Sequence, residues 1–228
     1  VSEGCRKHPH PPFNYQLAFS AEGLVEEYSL KTTILRDGKI QLVEPLTEVE
    51  SLSFPPPFEN LEAFRTGGGA SRLPQLLEQK VLSLEYKTIR YRGHCEKIKP
   101  LFDIGFADNE PLALGSNIVT TRELFLELLK KRLTFNEPDV VLLLVTAHGR
   151  LNGVEKRLSY RLIDLFDKKN SMTAMMRTTS FPTSIIAQMM LDGTISERGV
   201  FTAEEIVPAE PLIAELKKRN VNVETHYD

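Results

Sequence analysis

The sequence predicts an α+β fold with a mixed, largely antiparallel sheet and helices packed on one face. Three observations carry that expectation. Strand-like stretches fill the first half of the chain, while most of the helical spacing lies in the second. Asp37-Gly38 and Asn152-Gly153 are two-residue hairpin turns, and hairpins make antiparallel neighbours. Strand and helix patterns do not alternate as regular βαβ units, which argues against a parallel, doubly wound sheet.

Residues 1–12, VSEGCRKHPHPP, hold three prolines and no apolar period, as suits an extended lead-in or linker. Cys5, His8 and His10 are close in sequence, but no second cluster completes a ligand set. An irregular terminus is the plainer reading, and no metal is expected. Phe13–Phe19 alternates as a strand, with Tyr15, Leu17 and Phe19 on one face. Ser20 then stands as an N-cap before a short helix through Leu24, Val25 and Tyr28. Residues 31–43 read as a hairpin in which Thr33 and Leu35 oppose Ile40 and Leu42. Glu48–Phe54 is a further strand pattern, closed by Pro55-Pro56-Pro57, which neither a helix nor a central strand accepts.

Leu61–Thr66 reads as a strand running into Gly67-Gly68-Gly69-Ala70-Ser71. Three glycines in a row pack no side chains and cost chain entropy. They make either a flexible turn or a close backbone approach to a ligand, with amides aimed at a carboxylate. Neither G-x-G-x-x-G nor G-x-x-x-x-G-K-[ST] occurs in the sequence.

The stretch 81–104, VLSLEYKTIRYRGHCEKIKPLFDI, is the centre of the pattern. Leu82, Leu84, Tyr86, Thr88 and Arg90 fall on one face of a strand over 81–91, with Ile89 and Tyr91 on the other. Gly93 permits a sharp turn, and Ile98, Leu101 and Phe102 have the spacing of a short helix. Arg90-Tyr91-Arg92-Gly93-His94 therefore places cations and a hydroxyl at a strand end, where open α/β sheets bind ligands.

Asp108–Gly115 is rich in turn residues. Thr120 with Glu123 forms a capping box for a helix to about Leu133, with Leu124, Phe125, Leu128 and Leu129 as its buried stripe. Val140–Thr146 is almost wholly apolar and is expected as a central strand buried on both faces. Its partner follows at about 154–166, with Arg157, Tyr160, Arg161 and Asp164 on the solvent face or in cross-strand pairs. From Ser171 the period becomes helical: Met172, Met175, Met176, Thr179, Thr183, Ile186, Met189 and Met190 recur at three and four, the methionines as core fillers. Pro182 should kink this helix and Gly193 should end it. Thr202 with Glu205 caps a short turn, Pro211–Arg219 makes a last helix with Leu212, Ile213 and Leu216 inward, and Val221–Glu224 a closing edge strand.

At 228 residues, 41% hydrophobic and 26% charged, the composition is that of a soluble globular protein with a sizeable core. A formal net charge of −3 gives no reason to expect nucleic acid or an anionic membrane as partner. No apolar run approaches the roughly 20 residues of a bilayer span. Cys5 and Cys95 are too few for a disulfide scaffold, and the polar start carries no secretory signal, so a reducing cytoplasm is the expected compartment. The first residue is Val1 and not Met, and the start reads as a cut. Neither G-x-S-x-G nor H-E-x-x-H occurs. Cys95 reads as a buried structural thiol and His148 as a turn histidine.

LEYKTIRYRGHCEKIKPLFD, together with Pro12–Tyr28 (PFNYQLAFSAEGLVEEY), Leu61–Ser71 (LEAFRTGGGAS) and Met172–Pro208, resembles the lysine 6-dehydrogenase and saccharopine dehydrogenase-like family, most strongly the lysine 6-dehydrogenases. The resemblance implies a saccharopine dehydrogenase C-terminal domain-like fold within an enzyme that oxidises a carbon–nitrogen bond with NAD or NADP. It implies a split design: a Rossmann domain outside this sequence binds the dinucleotide, and this portion shapes the pocket for an amino-acid substrate and the homodimer interface. The chain then divides into a lead-in (1–12), a substrate-binding and dimerisation domain (13–170) and a C-terminal helical return segment (171–228) that packs on the Rossmann domain. On its own it is expected to be inactive.

Set against the matched segments, Arg90 and Arg92 are candidate carboxylate partners, with the amides of Gly67, Gly68 and Gly69 as a second choice. A surface ion pair is the plain alternative for each arginine. His94 and Tyr91 are the catalytic candidates, to orient substrate or relay a proton, since an imidazole titrates near neutrality. Ser20, Thr66, Ser71, Arg177 and Thr178 are further substrate-binding candidates. In saccharopine reductases the piece matching Phe64–Ser71 resembles Y-P-N-R-D-S; here glycine takes that arginine's place, which favours a smaller, less acidic substrate such as lysine. Arg65, where lysine enzymes resemble one another in carrying histidine, could recover an acidic one. A saccharopine or carboxynorspermidine dehydrogenase-like enzyme, or a catalytically silent binding or dimerisation module, are the alternatives.

Overall fold

A computed structural model describes residues 2–6, 9, 11–135 and 137–227. In chain order the first elements are β1 (Ser2–Arg6), α1 (Ala21–Ser29), β2 (Thr32–Arg36), β3 (Lys39–Val43), β4 (Glu50–Leu52), β5 (Leu61–Phe64), α2 (Leu73–Leu77), β6 (Thr88–Tyr91) and α3 (His94–Asp103). Then come β7 (Pro111–Leu114), β8 (Asn117–Thr120), α4 (Thr121–Leu133), β9 (Asp139–Leu151), β10 (Val154–Leu165), α5 (Ala174–Leu191), α6 (Ala203–Ile206), α7 (Ala209–Lys218) and β11 (Val223–Tyr227). The class is α+β. Every strand pair with a described register is antiparallel. The strands are divided among small sheets, ordered β1-β9-β10-β11, β2-β3, β4-β5-β6 and β7-β8.

Two compact units divide the chain, one of Gly4–Glu137 and one of Pro138–Asp228 with Val1–Glu3. The larger unit is built around α1, α3 and α4, whose Leu24, Val25, Tyr28, Ile98, Phe125, Leu129 and Leu133 share a core with Phe64. Fully burying side chains of this size contributes about 1.5–3 kcal/mol each. The β2-β3 hairpin has the expected register, Thr33 opposite Leu42 and Leu35 opposite Ile40. Asp37 and Gly38 both take positive φ, 51° and 73°, as the twist of a two-residue hairpin demands.

Several sequence expectations shift here. Phe13–Phe19 is irregular, not a strand. Tyr15 is its buried anchor, and the Leu17 amide donates to the Leu133 carbonyl at 2.9 Å, one of the acceptors that the end of α4 leaves over. Of the strand expected over 81–91 only Thr88–Tyr91 forms; Leu84 makes a lone bridge to Leu35, and Leu82 is 79% exposed. The turn-rich passage after Asp108 leads into the β7-β8 hairpin, which periodicity missed because its Leu112, Leu114 and Ile118 are exposed. Helix α4 is capped by Thr120 as expected, its hydroxyl accepting from the Glu123 amide at 3.2 Å. Its buried stripe is Phe125, Leu129 and Leu133, while Leu124 and Leu128 are exposed. A strict i, i+4 row suffices against a narrow neighbour such as α1.

In the smaller unit β9 and β10 pair across Asn152-Gly153, and β11 closes an edge of the sheet. Burial along β9 is confined to its first residues: Val140, Val141 and Leu142 are buried and Val145 is 49% exposed. Helix α5 starts at the Thr173 cap, runs through Pro182 and ends before Gly193, which takes φ 83°. Its buried positions are Ala174, Arg177, Ile185 and Met189, whereas Met176 and Met190 are exposed, so the methionines do not fill the core as a set. Val141 and Leu162 pack in one cluster with Ile185 and Met189. The hairpin therefore belongs with α5, and the boundary expected at 170/171 falls inside a unit whose edge is at 137/138. Leu216 of α7 is buried, with Leu212 and Ile213 half-buried. Among the described residues no helix is long and apolar enough to cross a membrane.

Candidate functional site

The centre of the larger unit is a polar cluster inside an aromatic shell. Strand alternation puts Thr88 and Arg90 on one face of β6, opposite Phe64 and Glu62 of β5. Gly93, at φ 83°, turns the chain directly from β6 into α3, so His94 is the first residue of the helix. Arg90 is 1% exposed and His94 is 0% exposed. The α1 stripe brings Tyr28 between them: its hydroxyl accepts from Arg90 Nε at 3.1 Å and lies 3.0 Å from His94 Nε2. His94 Nδ1 lies 2.8 Å from the Phe13 carbonyl oxygen, and Arg90 Nη1 donates to the Ile89 carbonyl at 3.0 Å. Phe64 stacks on the imidazole at 6.1 Å, and the Arg90 guanidinium lies over the Tyr15 ring at 4.9 Å.

Glu62 holds the other end of the turn. Its carboxylate accepts from the Gly93 amide and from the Cys95 amide, both at 2.7 Å, and so satisfies donors that the start of α3 leaves over. Burial drives the His94 pKa down to about 3, and the Arg90 charge pushes the same way. His94 is therefore neutral at physiological pH, and the reason for expecting a proton relay there, titration near neutrality, does not hold. Burial also pushes the Cys95 thiol up to about 12, which agrees with a buried structural thiol.

Tyr91 does not join this cluster. It lies on the opposite face of β6, paired with Leu61. Arg92 is exposed, whereas Arg90 is buried. Thr66 is buried, its hydroxyl 2.7 Å from that of Thr88. Ser20 is an exposed helix cap whose hydroxyl accepts from the Gly23 amide at 3.0 Å. The Gly67 amide donates to the Glu27 carbonyl at 2.8 Å, so it is not open to a substrate carboxylate. A Cβ on Gly67 would stand 2.7 Å from Leu30 Cβ, and one on Gly69 2.1 Å from the Tyr86 ring. The glycines are there for close approach of α1 and Tyr86. Gly68 and Ser71 are exposed, both at positive φ.

Arg177 and Thr178 lie in the other unit, on α5. Arg177 Nε and Nη2 donate to Asp164 at 2.9 and 3.2 Å, Nη1 to Asp167 at 3.1 Å, and Nη2 also to the Asn220 carbonyl at 3.0 Å. This is a packing hub. Asp164, expected on a solvent face or in a cross-strand pair, is instead a buried partner. Thr178 bonds back to the Ala174 carbonyl at 2.9 Å.

Arg65 is 0% exposed and faces Glu48 at 2.5 Å and Glu85 at 3.2 Å. The unit also carries an apolar groove of about 600 Å³ lined by Phe13, Leu101, Phe106, Phe125, Leu129 and their neighbours, and neither Arg90 nor His94 lines it. Among the described residues no group of three His, Cys, Asp or Glu is placed to hold a metal. The side chains of Cys5, His8 and His10 lie outside the described ones. The described residues also do not fit a dinucleotide: there is no Gly-rich fingerprint, and no described strand pair is parallel, so the cradle of a βαβ unit is not formed here.

Tyr28, Tyr15, Phe64 and Glu62 were not among the sequence candidates. Only Glu62 carried a signal, as one charge inside the otherwise apolar strand Leu61–Phe64.

This α+β chain with its buried Arg-Tyr-His cluster has the fold of part of a solved structure. It matches "Apo histidine-tagged saccharopine dehydrogenase (L-Glu forming) from Saccharomyces cerevisiae" with a TM-score of 0.71 and 17% identity, over 96% of this chain and 65% of that one. Likeness at that identity is a likeness of fold, and this chain spans about 65% of the yeast chain's length. Residues 2–221 match the Saccharopine dehydrogenase C-terminal domain, and the chain belongs to that family.

Proposed function

We propose that the chain is the substrate-binding and dimerisation portion of an NAD(P)-dependent oxidoreductase acting on a CH–NH bond of an amino acid, with lysine as substrate. The observation that supports this most is the family match over residues 2–221. Arg90 serves as a buried cation that raises the local positive potential, since at 1% exposure it is not an open fork for a carboxylate. The burial of Arg65 favours lysine over saccharopine: its charge is already met by Glu48 and Glu85, so it offers no free cation to an acidic substrate. The nicotinamide belongs to a separate dinucleotide-binding domain, and no step of hydride transfer is assigned to residues of this chain. The assembly is a cytoplasmic homodimer joined through an exposed sheet face, with neither nucleic acid nor membrane as partner.

The test is an assay of the protein joined to its dinucleotide-binding domain, with NAD and NADP against lysine and saccharopine. Reduction of one nicotinamide with lysine at a kcat/KM about tenfold or more above that for saccharopine is expected. Faster turnover of saccharopine would give the site to the larger substrate. No reduction with either, by folded protein, would overturn the reading. The chain alone should show no saturable NAD or NADP binding in calorimetry.

A further inference from the structure

With a neutral imidazole, the contacts of Tyr28 with Arg90 and His94 fit one order of donors and acceptors. A backbone carbonyl accepts and never donates, so His94 Nδ1, 2.8 Å from the Phe13 oxygen, carries a proton. An arginine Nε donates and never accepts, so the Tyr28 oxygen takes the Arg90 proton at 3.1 Å. With a neutral ring, His94 Nε2 is left as an acceptor, and the proton between it and the phenol at 3.0 Å is the phenol's own. The hydrogen bonds run one way, from Arg90 through Tyr28 to His94 and on to Phe13.

We propose that Tyr28 is the positioning residue of this site: it fixes the direction of the Arg90 guanidinium and locks His94 as the Nδ1–H tautomer with Nε2 as acceptor. A phenol is suited to the task because it accepts from one neighbour and donates to the other. Arg90 Nη1 is held by the Ile89 carbonyl, so the phenol fixes a second point of the planar group and its tilt is set. The imidazole, in turn, pins the Phe13 backbone, and the irregular segment there is tied to α3. The order of bonds rests on these distances together with a neutral imidazole, which full burial beside the Arg90 guanidinium favours. The use of Arg90 toward a substrate rests on the proposed oxidoreductase reading.

Nitrogen-15 NMR of the histidine-labelled chain at pH 7 tests the order of bonds. For His94 the expected pattern is a protonated Nδ1 and a hydrogen-bonded, unprotonated Nε2. An Nε2–H tautomer or a doubly protonated ring would overturn the proposal, and this measurement needs no variant. In Tyr28→Phe the Nε2 resonance should move to the position of a nitrogen with no donor, or the tautomer should change. An unchanged Nε2 in a folded Tyr28→Phe chain would overturn the positioning role. In the complete enzyme, Tyr28→Phe should raise KM for the amino acid and leave KM for the nicotinamide unchanged. Equal changes in both KM values, with the NMR pattern intact, would count against the oxidoreductase use of Arg90 and leave the bond order standing.

Discussion

Arg177 and Asp164 meet at two points inside the smaller unit, Nε to Oδ2 at 2.9 Å and Nη2 to Oδ1 at 3.2 Å. Both are almost fully buried, at 6% and 5% exposure. Burial acts to raise the Asp164 pKa, and the guanidinium opposes it. The same guanidinium reaches the Asn220 carbonyl ahead of β11, so the pair joins β10, α5 and the last turn of the chain. Removing the cation alone would strand a buried carboxylate.

Arg177→Ala should therefore lower stability by about 3–5 kcal/mol, read as a shift in the urea midpoint. Arg177→Lys should recover only part of the loss, because one ammonium cannot satisfy Asp164, Asp167 and the Asn220 carbonyl together. A stability equal to wild type in Arg177→Ala would return this residue to the list of substrate contacts.

Gly67 and Gly68 should differ in their response to substitution. Gly67 has Leu30 in the way of a Cβ, so Gly67→Ala and Gly67→Asn should both cost about 1–3 kcal/mol through overpacking. Gly68 has open space but φ 83°, so Gly68→Ala should cost about 1–2 kcal/mol and Gly68→Asn much less, since asparagine tolerates that conformation. Melting curves of the four variants separate the cases. Equal, small effects throughout would mean a flexible turn.

Secondary structure was legible where a local rule and the packing agree. The Asp37-Gly38 hairpin, the Thr120 cap and the stop at Gly193 depend on a few adjacent residues, and each stands where the sequence puts it. The strand over 81–91 was not, because alternation says which side chains share a face and not whether a neighbour is there to pair with them; only β6 found β5. The site candidates suffered from a related gap. Arg90 and His94 do share one cluster, but their partner Tyr28 is 62 and 66 residues away in the chain, and spacing carries no trace of such a contact. Arg177 was a binding candidate by its position in the matched segment Met172–Pro208, and position in a segment does not tell a substrate contact from a buried ion pair.

Acid should destabilise the protein through His94. The folded pKa, about 3, is below the ordinary 6.5, so the unfolded chain takes up the proton first. The contribution is complete above about pH 6.5 and is lost as pH falls toward 3. At pH 4.5 the loss amounts to about 2.5–3 kcal/mol, two pKa units at about 1.4 kcal/mol each. Urea midpoints of wild type and His94→Gln, compared at pH 7 and 4.5, isolate this share from that of the carboxylates. Wild type should lose more than the variant. Parallel losses would mean that His94 titrates normally.

Cys95 should be almost unreactive in the native chain. Its thiol is buried, its amide is held by Glu62 and its pKa is raised from 9.0 to about 12 by burial first and by the Glu62 charge second. Three pKa units reduce the thiolate fraction at pH 8 about 1000-fold, before any loss of access to the reagent is counted. Alkylation by iodoacetamide, followed peptide by peptide in the mass spectrometer, should therefore leave Cys95 unmodified in native protein over a time in which urea-unfolded chain is fully labelled. Rapid native labelling would mean that the sulfur is open and ionised beside His94, and the arrangement of α3 against Glu62 would have to be given up in favour of a nucleophile–base pair.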